Sequence, residues 1–327
     1  MPSGNHPAHS EHALPSGLYV YVRALQLEGR YPRDVGVHSI SGMRICVGWG
    51  CPPESAWPYG EQGRTWPPAE APGIDAIAKK QRAAYYQRLR NSLDAQRALV
   101  NYLGVTLSVP ITHQWFDSED GKIAMPDDPS EFISDHCIAL DGYADGHFKF
   151  ANSWGTRWGD RGFGYLPFEY FNRYVIDSFA LDPRPVIQLS KDKKEDLAGW
   201  CINSPLGLPL HGIELWDRRH DERQGWVFAT ERDGFLDVEE LFVRPSYRKQ
   251  GLGRSLLKQI RVHAEQRQLP LRFWVPHGDC VDETSRIMLS KFIGLPLLRS
   301  EVSWADFTAS EIVLPSSAVI TNRVRDT

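Results

Sequence analysis

The pattern of apolar and polar positions changes character near the middle of the chain. In the first half, Leu18 to Leu27 reads as a helix. Asp75 to Leu103 reads as a long polar helix or helix pair, through AIAKKQRAAYYQRLR and SLDAQRALVNYLG. Strand-like pieces follow, CIALDGY, HFKFANS and FGYLPFEYF, separated by turn residues. Helices first and a twisted sheet afterwards predict an α+β domain. In the second half, Gly212 to Trp216, Trp226 to Thr230 and Val238 to Val243 read as strands. A helix is predicted from Gly253 to about Gln266, with Leu252, Leu256, Ile260 and Ala264 on one face. Arg272 to Val275 reads as a further strand and Asp282 to Ile293 as a further helix, an α/β pattern. Between the halves lies DPRPVIQLSKDKKE, with two prolines and a charged run. The expected organisation is a polar tail over 1–14, one domain over 15–181, a linker over 182–198 and a second domain over 199–327.

Composition narrows the function classes. The 327 residues are 42% hydrophobic and 24% charged, enough for two cores. A net charge of −4 gives no basic excess for nucleic acid. No apolar run is long enough to span a membrane, and the N-terminus lacks the basic start and apolar stretch of a signal peptide. The five cysteines are Cys46, Cys51, Cys137, Cys201 and Cys280, an odd number without CxxC spacing. Neither a disulfide framework nor a metal site is expected, and the thiols read as those of a cytoplasmic protein.

Two stretches carry chemistry. In the first, His136 opens a strand and Asn152 follows sixteen residues later, where a neighbouring strand could bring it to the imidazole. In a thiol peptidase the imidazole takes the thiol proton, and an Asn orients the ring through its other nitrogen. Trp154 could shield that bond from water. A lone strand His beside a turn Asn is the plain alternative for these two residues taken by themselves. The blocks His136-Cys-Ile-Ala-Leu-Asp-Gly142-Tyr143 and Asn152-Ser-Trp-Gly-Thr-Arg-Trp158-Gly-Asp-Arg-Gly162-Phe-Gly164-Tyr165 resemble the histidine and asparagine blocks of papain-family cysteine peptidases. Cys51 to Tyr59, CPPESAWPY, is similar to a segment of bacterial members. The resemblance spans about residues 15 to 175 and implies a helical lobe and a small β-barrel lobe with a cleft between them. It also implies a Gln and a Gly-Ser-Cys-Trp-like block ahead of LPSGLYVYVRALQLEG, where the nucleophile opens a helix that lowers its pKa. Residues 1–45 contain no cysteine. Cys137 should point to the face of its strand opposite His136. The domain reads as a pseudopeptidase or a truncated gene model, with His136 and Asn152 as remnants.

The second stretch runs from Val238 through Leu241-Phe-Val-Arg-Pro-Ser-Tyr-Arg248-Lys-Gln-Gly251-Leu-Gly253-Arg254. It is a strand, a short loop and a helix start. Glycines let backbone N–H groups approach a phosphate, and the helix start adds positive potential. Arg248, Lys249 and Arg254 suit a pyrophosphate. A tight strand-to-helix turn with solvated basic residues is the plain alternative. The whole run resembles the acetyl-CoA motif of GNAT N-acetyltransferases, over about residues 205 to 300. That resemblance implies that Leu241, Phe242 and Val243 bond the pantetheine arm of acetyl-CoA as acyl donor. It implies too that the backbone from Arg248 through Lys249, Gln250, Gly251, Leu252 and Gly253 holds the pyrophosphate. The fold class expected for the whole chain is an α+β papain-like domain followed by an α/β GNAT domain.

The resemblance has two departures. Where many members carry an acidic Tyr, four residues before the Gly of LSKFIGLPL, this chain has Ser290; a water or Tyr247 is an alternative proton donor. The stretch KEDLAGWCINSPLGLPL leaves little room for the two helices with which members bind their acceptor. Glu239 and Glu240 are candidate bases, expected on alternating faces of a strand. Three readings result: an N-acyltransferase acting on an amine of a small molecule, peptide or protein; a cysteine peptidase with an accessory CoA domain; or a non-enzymatic peptide-binding scaffold.

Overall fold

The computed structural model describes residues 14–60, 66–101, 103–185, 197–275 and 310–314. A helical layer comes first, with α1 (Gly17–Leu27), α2 (Ser39–Gly48) and α3 (Ile74–Ala78). Ser16 caps α1: its hydroxyl accepts from Tyr19 N–H and donates to Trp57 C=O. Leu18, Tyr19 and Val22 pack on Ile45, Trp57 and Ile74.

An antiparallel sheet follows, in the order β1 (Ala83–Arg88), β6 (Asp177–Pro185), β2 (Gly104–Ile111), β3 (Ser134–Ala144), β4 (His147–Ala151) and β5 (Phe163–Pro167). With α4 (Ser92–Val100) and α5 (Phe168–Tyr174) it encloses Leu107, Val109, Trp115, Phe148, Phe150 and Tyr170. Two expectations fail here. The segment Asp75 to Leu103 is helical only toward its ends, because AAYYQR is strand β1. Tyr85 meets Trp200, and Tyr86 meets Phe179 and Phe228, so burial on both faces overrides the local helix preference. The strand expected through FGYLPFEYF stops at Pro167, and FEYF begins α5.

The second sheet has the order β7 (Leu197–Asn203), β8 (Pro209–Asp217), β9 (Glu222–Arg232), β10 (Phe235–Val243), β11 (Leu271–Val275) and β12 (Ser310–Leu314). Only β10 and β11 run parallel, and α6 (Leu252–Arg267) makes their crossover. The expected strands and first helix of this half are present. The helix expected over Asp282 to Ile293 lies outside the described residues. Of the expected linker, Asp182–Pro185 finish β6 and Leu197 starts β7. The stretch after it forms β7 and turns directly into β8, with no helix between.

Both faces of this second sheet are covered. Leu256, Leu257, Ile260 and Ala264 of α6 pack on Val227, Ala229, Leu236 and Phe273. The other face presents Leu210, Trp216, Trp226, Phe228 and Phe242 to Ile40, Met43 and Val47 of α2, to β1 and to Phe179. The two halves thus share a core cluster. At its centre Arg223 is fully buried and donates to Val47 C=O (3.0 Å) and Glu214 (3.1 Å). Glu214 also accepts from the indoles of Trp200 and Trp216, each at 2.8 Å. A β-carbon at Gly48 would lie 2.8 Å from the Trp226 ring.

Candidate active site

Strands β10 and β11 pair at Leu236, Asp237 and Val238, and there the pairing stops. Leu241, Phe242 and Val243 continue paired with β9, while β11 runs on to Val275. Among the described residues, the pairing of the two strands therefore ends at Val238, and no described residue of β11 pairs with Leu241–Val243. A bulge between Val238 and Glu240 lies at that point.

The loop beyond is shaped by two left-handed residues, Lys249 (φ 64°) and Gly251 (φ 81°), directly before α6. Lys249, Gln250, Gly251 and Arg254 are exposed, while Gly253 is buried under the sheet. Among the described residues, a β-carbon added to Gly251 meets no atom within 4 Å. The space above the helix start is therefore open, and the first-turn N–H groups of α6 have no intrahelical partner. An open glycine cradle at a helix start, ringed by basic side chains, fits the diphosphate of a CoA ester. Arg248 is braced by its own strand, donating to Val243 C=O and lying over Phe242.

The two glutamates do not alternate as expected. The bulge lets both reach the N-terminal half. Glu240 accepts from Arg44 (3.0 Å) and from the Tyr86 hydroxyl (2.5 Å). Glu239 Oε2 accepts from Arg88 N–H (3.1 Å), while its Oε1 is buried without a hydrogen-bond partner. Burial pushes the Glu239 carboxyl up, against the charge of Arg90. Glu240 is thus committed to a bridge between the halves, and Glu239 keeps one unbonded oxygen. Ser290 lies outside the described residues. Tyr247 donates to Glu222 Oε2 (2.8 Å), and burial together with that carboxylate pushes its phenol up to about 12.

In the first half, His136 Nε2 lies 2.9 Å from Asn152 Oδ1, and the imidazole stacks on Trp154 at 4.8 Å. With Oδ1 accepting from Nε2–H, the lone pair stays on Nδ1. Trp154 in turn stacks on Phe116 and meets Trp158 edge-on. Cys137 points to the other face of β3, 3.7 Å from Ser39 Oγ. Cys51 lies under the start of α1, with its thiol against Ser16 C=O. Cys201 sits beside His211 in the second sheet. Among the described residues, no cysteine bonds to His136, no three His, Cys, Asp or Glu side chains are grouped to hold a metal, and no helix is long and apolar enough to cross a membrane.

The roles of Arg44, Tyr86 and Lys79 escape sequence reasoning. Each is an unremarkable residue of the first half whose partner lies about 140 positions or more away, and no motif surrounds it.

Residues 163–286 match the family model of the acetyltransferase (GNAT) family. The match begins on β5, so its first part lies on the first sheet rather than the second. The N-terminal half is similar to an uncharacterized peptidase C1-like protein, L477, of Acanthamoeba polyphaga mimivirus. The two are 27% identical over 173 residues, which is 48% of this chain and 54% of that protein. The chain thus spans about half the length of this curated relative. Among solved structures, xylellain, a cysteine protease from Xylella fastidiosa, is 23% identical with a TM-score of 0.47, covering 52% of this chain and 70% of that one. Procathepsin B S9 from Trypanosoma congolense is 18% identical with a TM-score of 0.42, covering 52% and 61%.

Proposed function

From a chain that joins a papain-like N-terminal part to a GNAT acetyltransferase domain, we propose an acyl-CoA-dependent N-acyltransferase that uses acetyl-CoA and acylates an amine. The observation that carries this reading is the left-handed glycine turn at Gly251, open among the described residues, which leads from β10 straight into the start of α6. The bound ester would supply an activated thioester carbonyl to the acceptor amine. The chain's own residues do the rest. Backbone groups of Leu241–Val243 would bond the pantetheine arm, and amides from Arg248 to Gly253 would bind the diphosphate. Glu239 is the candidate proton acceptor: its carboxyl is buried beside the bulge, and burial raises it above its ordinary value. The acceptor is an amine of a small molecule, a peptide or a protein.

Gly251→Asp tests this reading. The new side chain meets no described atom and adds only the local strain of a left-handed backbone at φ 81°, so the fold is expected to survive while a carboxylate meets the diphosphate. Asp also tolerates a left-handed backbone better than most residues. Calorimetry with CoA should show affinity falling by about 100-fold, equivalent to about 2.7 kcal/mol. Equal affinity for wild type and variant would place the site elsewhere.

The His136–Asn152 pair favours a second reading, a thiol peptidase. That chemistry needs a thiolate at the Nδ1 side of the ring, and the described cysteines have other surroundings. We therefore read this lobe as inert within the present chain, with its aromatic face around Trp154 and Phe116 kept as a binding surface. Neither wild type nor His136→Ala should hydrolyse peptides. A single cysteine alkylated far faster than the rest, and only while His136 is present, would restore the peptidase.

A further inference from the structure

The rear of the glycine loop does not rest on its own domain alone. Glu222, at the start of β9, is the hub. Its Oε2 accepts from the Tyr247 hydroxyl at 2.8 Å, and Arg244 NH1 lies 3.4 Å away. Its Oε1 pairs with Lys79 Nζ, from the N-terminal half, at 2.8 Å. Lys79 also donates to His220 C=O at 3.3 Å. The Arg244 guanidinium lies 4.1 Å above the Trp49 ring, just past the end of α2. Trp49 in turn meets Phe242 edge-on. Residues 242 to 247, which lead into the loop, are therefore backed from the other half by Trp49 directly and by Lys79 through Glu222.

We propose that Lys79 and Trp49 form a latch that presets the diphosphate loop, so that the papain-like part is a working component of the CoA site. This rests on the acyl-CoA reading. The physical case has two parts. A loop fixed before binding loses less conformational entropy when ligand arrives. And a bare Glu222 carboxylate next to a diphosphate site would repel the ligand, whereas Lys79 and Arg244 neutralise it. Burial opposes ionisation of Glu222, but the bonds from Lys79 and Tyr247 and the charge of Arg244 outweigh it and hold the carboxyl below its ordinary value. The latch is thus intact at neutral pH and opens only as pH falls through that lowered value.

Lys79 and Trp49 are positioning residues here: neither contacts the reacting atoms. Their mark is selectivity for ligands that carry the diphosphate. Calorimetry on the full chain with CoA and with pantetheine, which lacks the diphosphate, separates the cases. Lys79→Met should weaken CoA by roughly 5- to 10-fold and leave pantetheine unchanged. Lys79→Arg should retain most of the affinity for CoA, and Trp49→Leu should repeat the effect of Lys79→Met. Lys79 is partly exposed, so the variant should unfold at the wild-type temperature. If Lys79→Met and Trp49→Leu bind CoA like wild type, the latch is wrong. If CoA and pantetheine weaken equally, the residues support the fold and not the loop, and the latch is again wrong. A wild-type chain that binds no CoA would overturn the acyl-CoA reading and the latch with it.

Discussion

Deleting residues 1–196 is expected to leave a second sheet that does not fold in water. The deletion strips cover from Leu210, Trp216, Trp226, Phe228 and Phe242. Burying each is worth roughly 1.5–3 kcal/mol, or about 10 kcal/mol together. That matches the whole stability of an ordinary domain, about 5–15 kcal/mol. The bared aromatic face also exceeds what a soluble monomer normally exposes. The truncated chain should accumulate in the insoluble fraction, or show no cooperative unfolding if refolded. A soluble fragment with a sharp thermal transition and wild-type affinity for CoA would refute the shared core.

The second large effect is expected at Glu214. Its carboxylate holds three donors: the buried Arg223 and Trp216, and the partly buried indole of Trp200. Arg223 has no exposure, and burial already works against its charge. Glu214→Ala leaves that guanidinium uncompensated, a change that costs about 3–5 kcal/mol at buried pairs. The melting temperature should fall by roughly 10 °C. The paired change Glu214→Leu with Arg223→Met removes both charges, and should recover a large part of the loss. A Glu214→Ala melting point within about 2 °C of wild type would show that the hub does not bear on stability.

Local pattern made much of this architecture legible. Strands β8, β9 and β10 and helix α6 follow their apolar periodicity, and the loop between β10 and α6 is written in its glycines. The contact between His136 and Asn152 was readable from motif blocks that set neighbouring strands. What stayed hidden depends on partners distant in sequence. Ala83–Arg88 looks helical because its strand partners and the aromatics its tyrosines meet, Phe179, Trp200 and Phe228, lie more than 80 positions away. Strict alternation misplaced Glu239 because a bulge is a matter of pairing register, which one strand's sequence does not encode. The cover on the second sheet was equally invisible: an apolar face announces that something must bury it, not what does.

The fit of Gly48 against Trp226 has a consequence for how such a chain can change over time. Any side chain at position 48 collides with an indole that is itself fully enclosed. A larger residue there requires the indole to shift or position 226 to become smaller. Substitutions in what look like two separate gene segments are therefore not independent. A half exchanged for a homologue's that carries a side chain at position 48 would meet the indole of Trp226 at this seam.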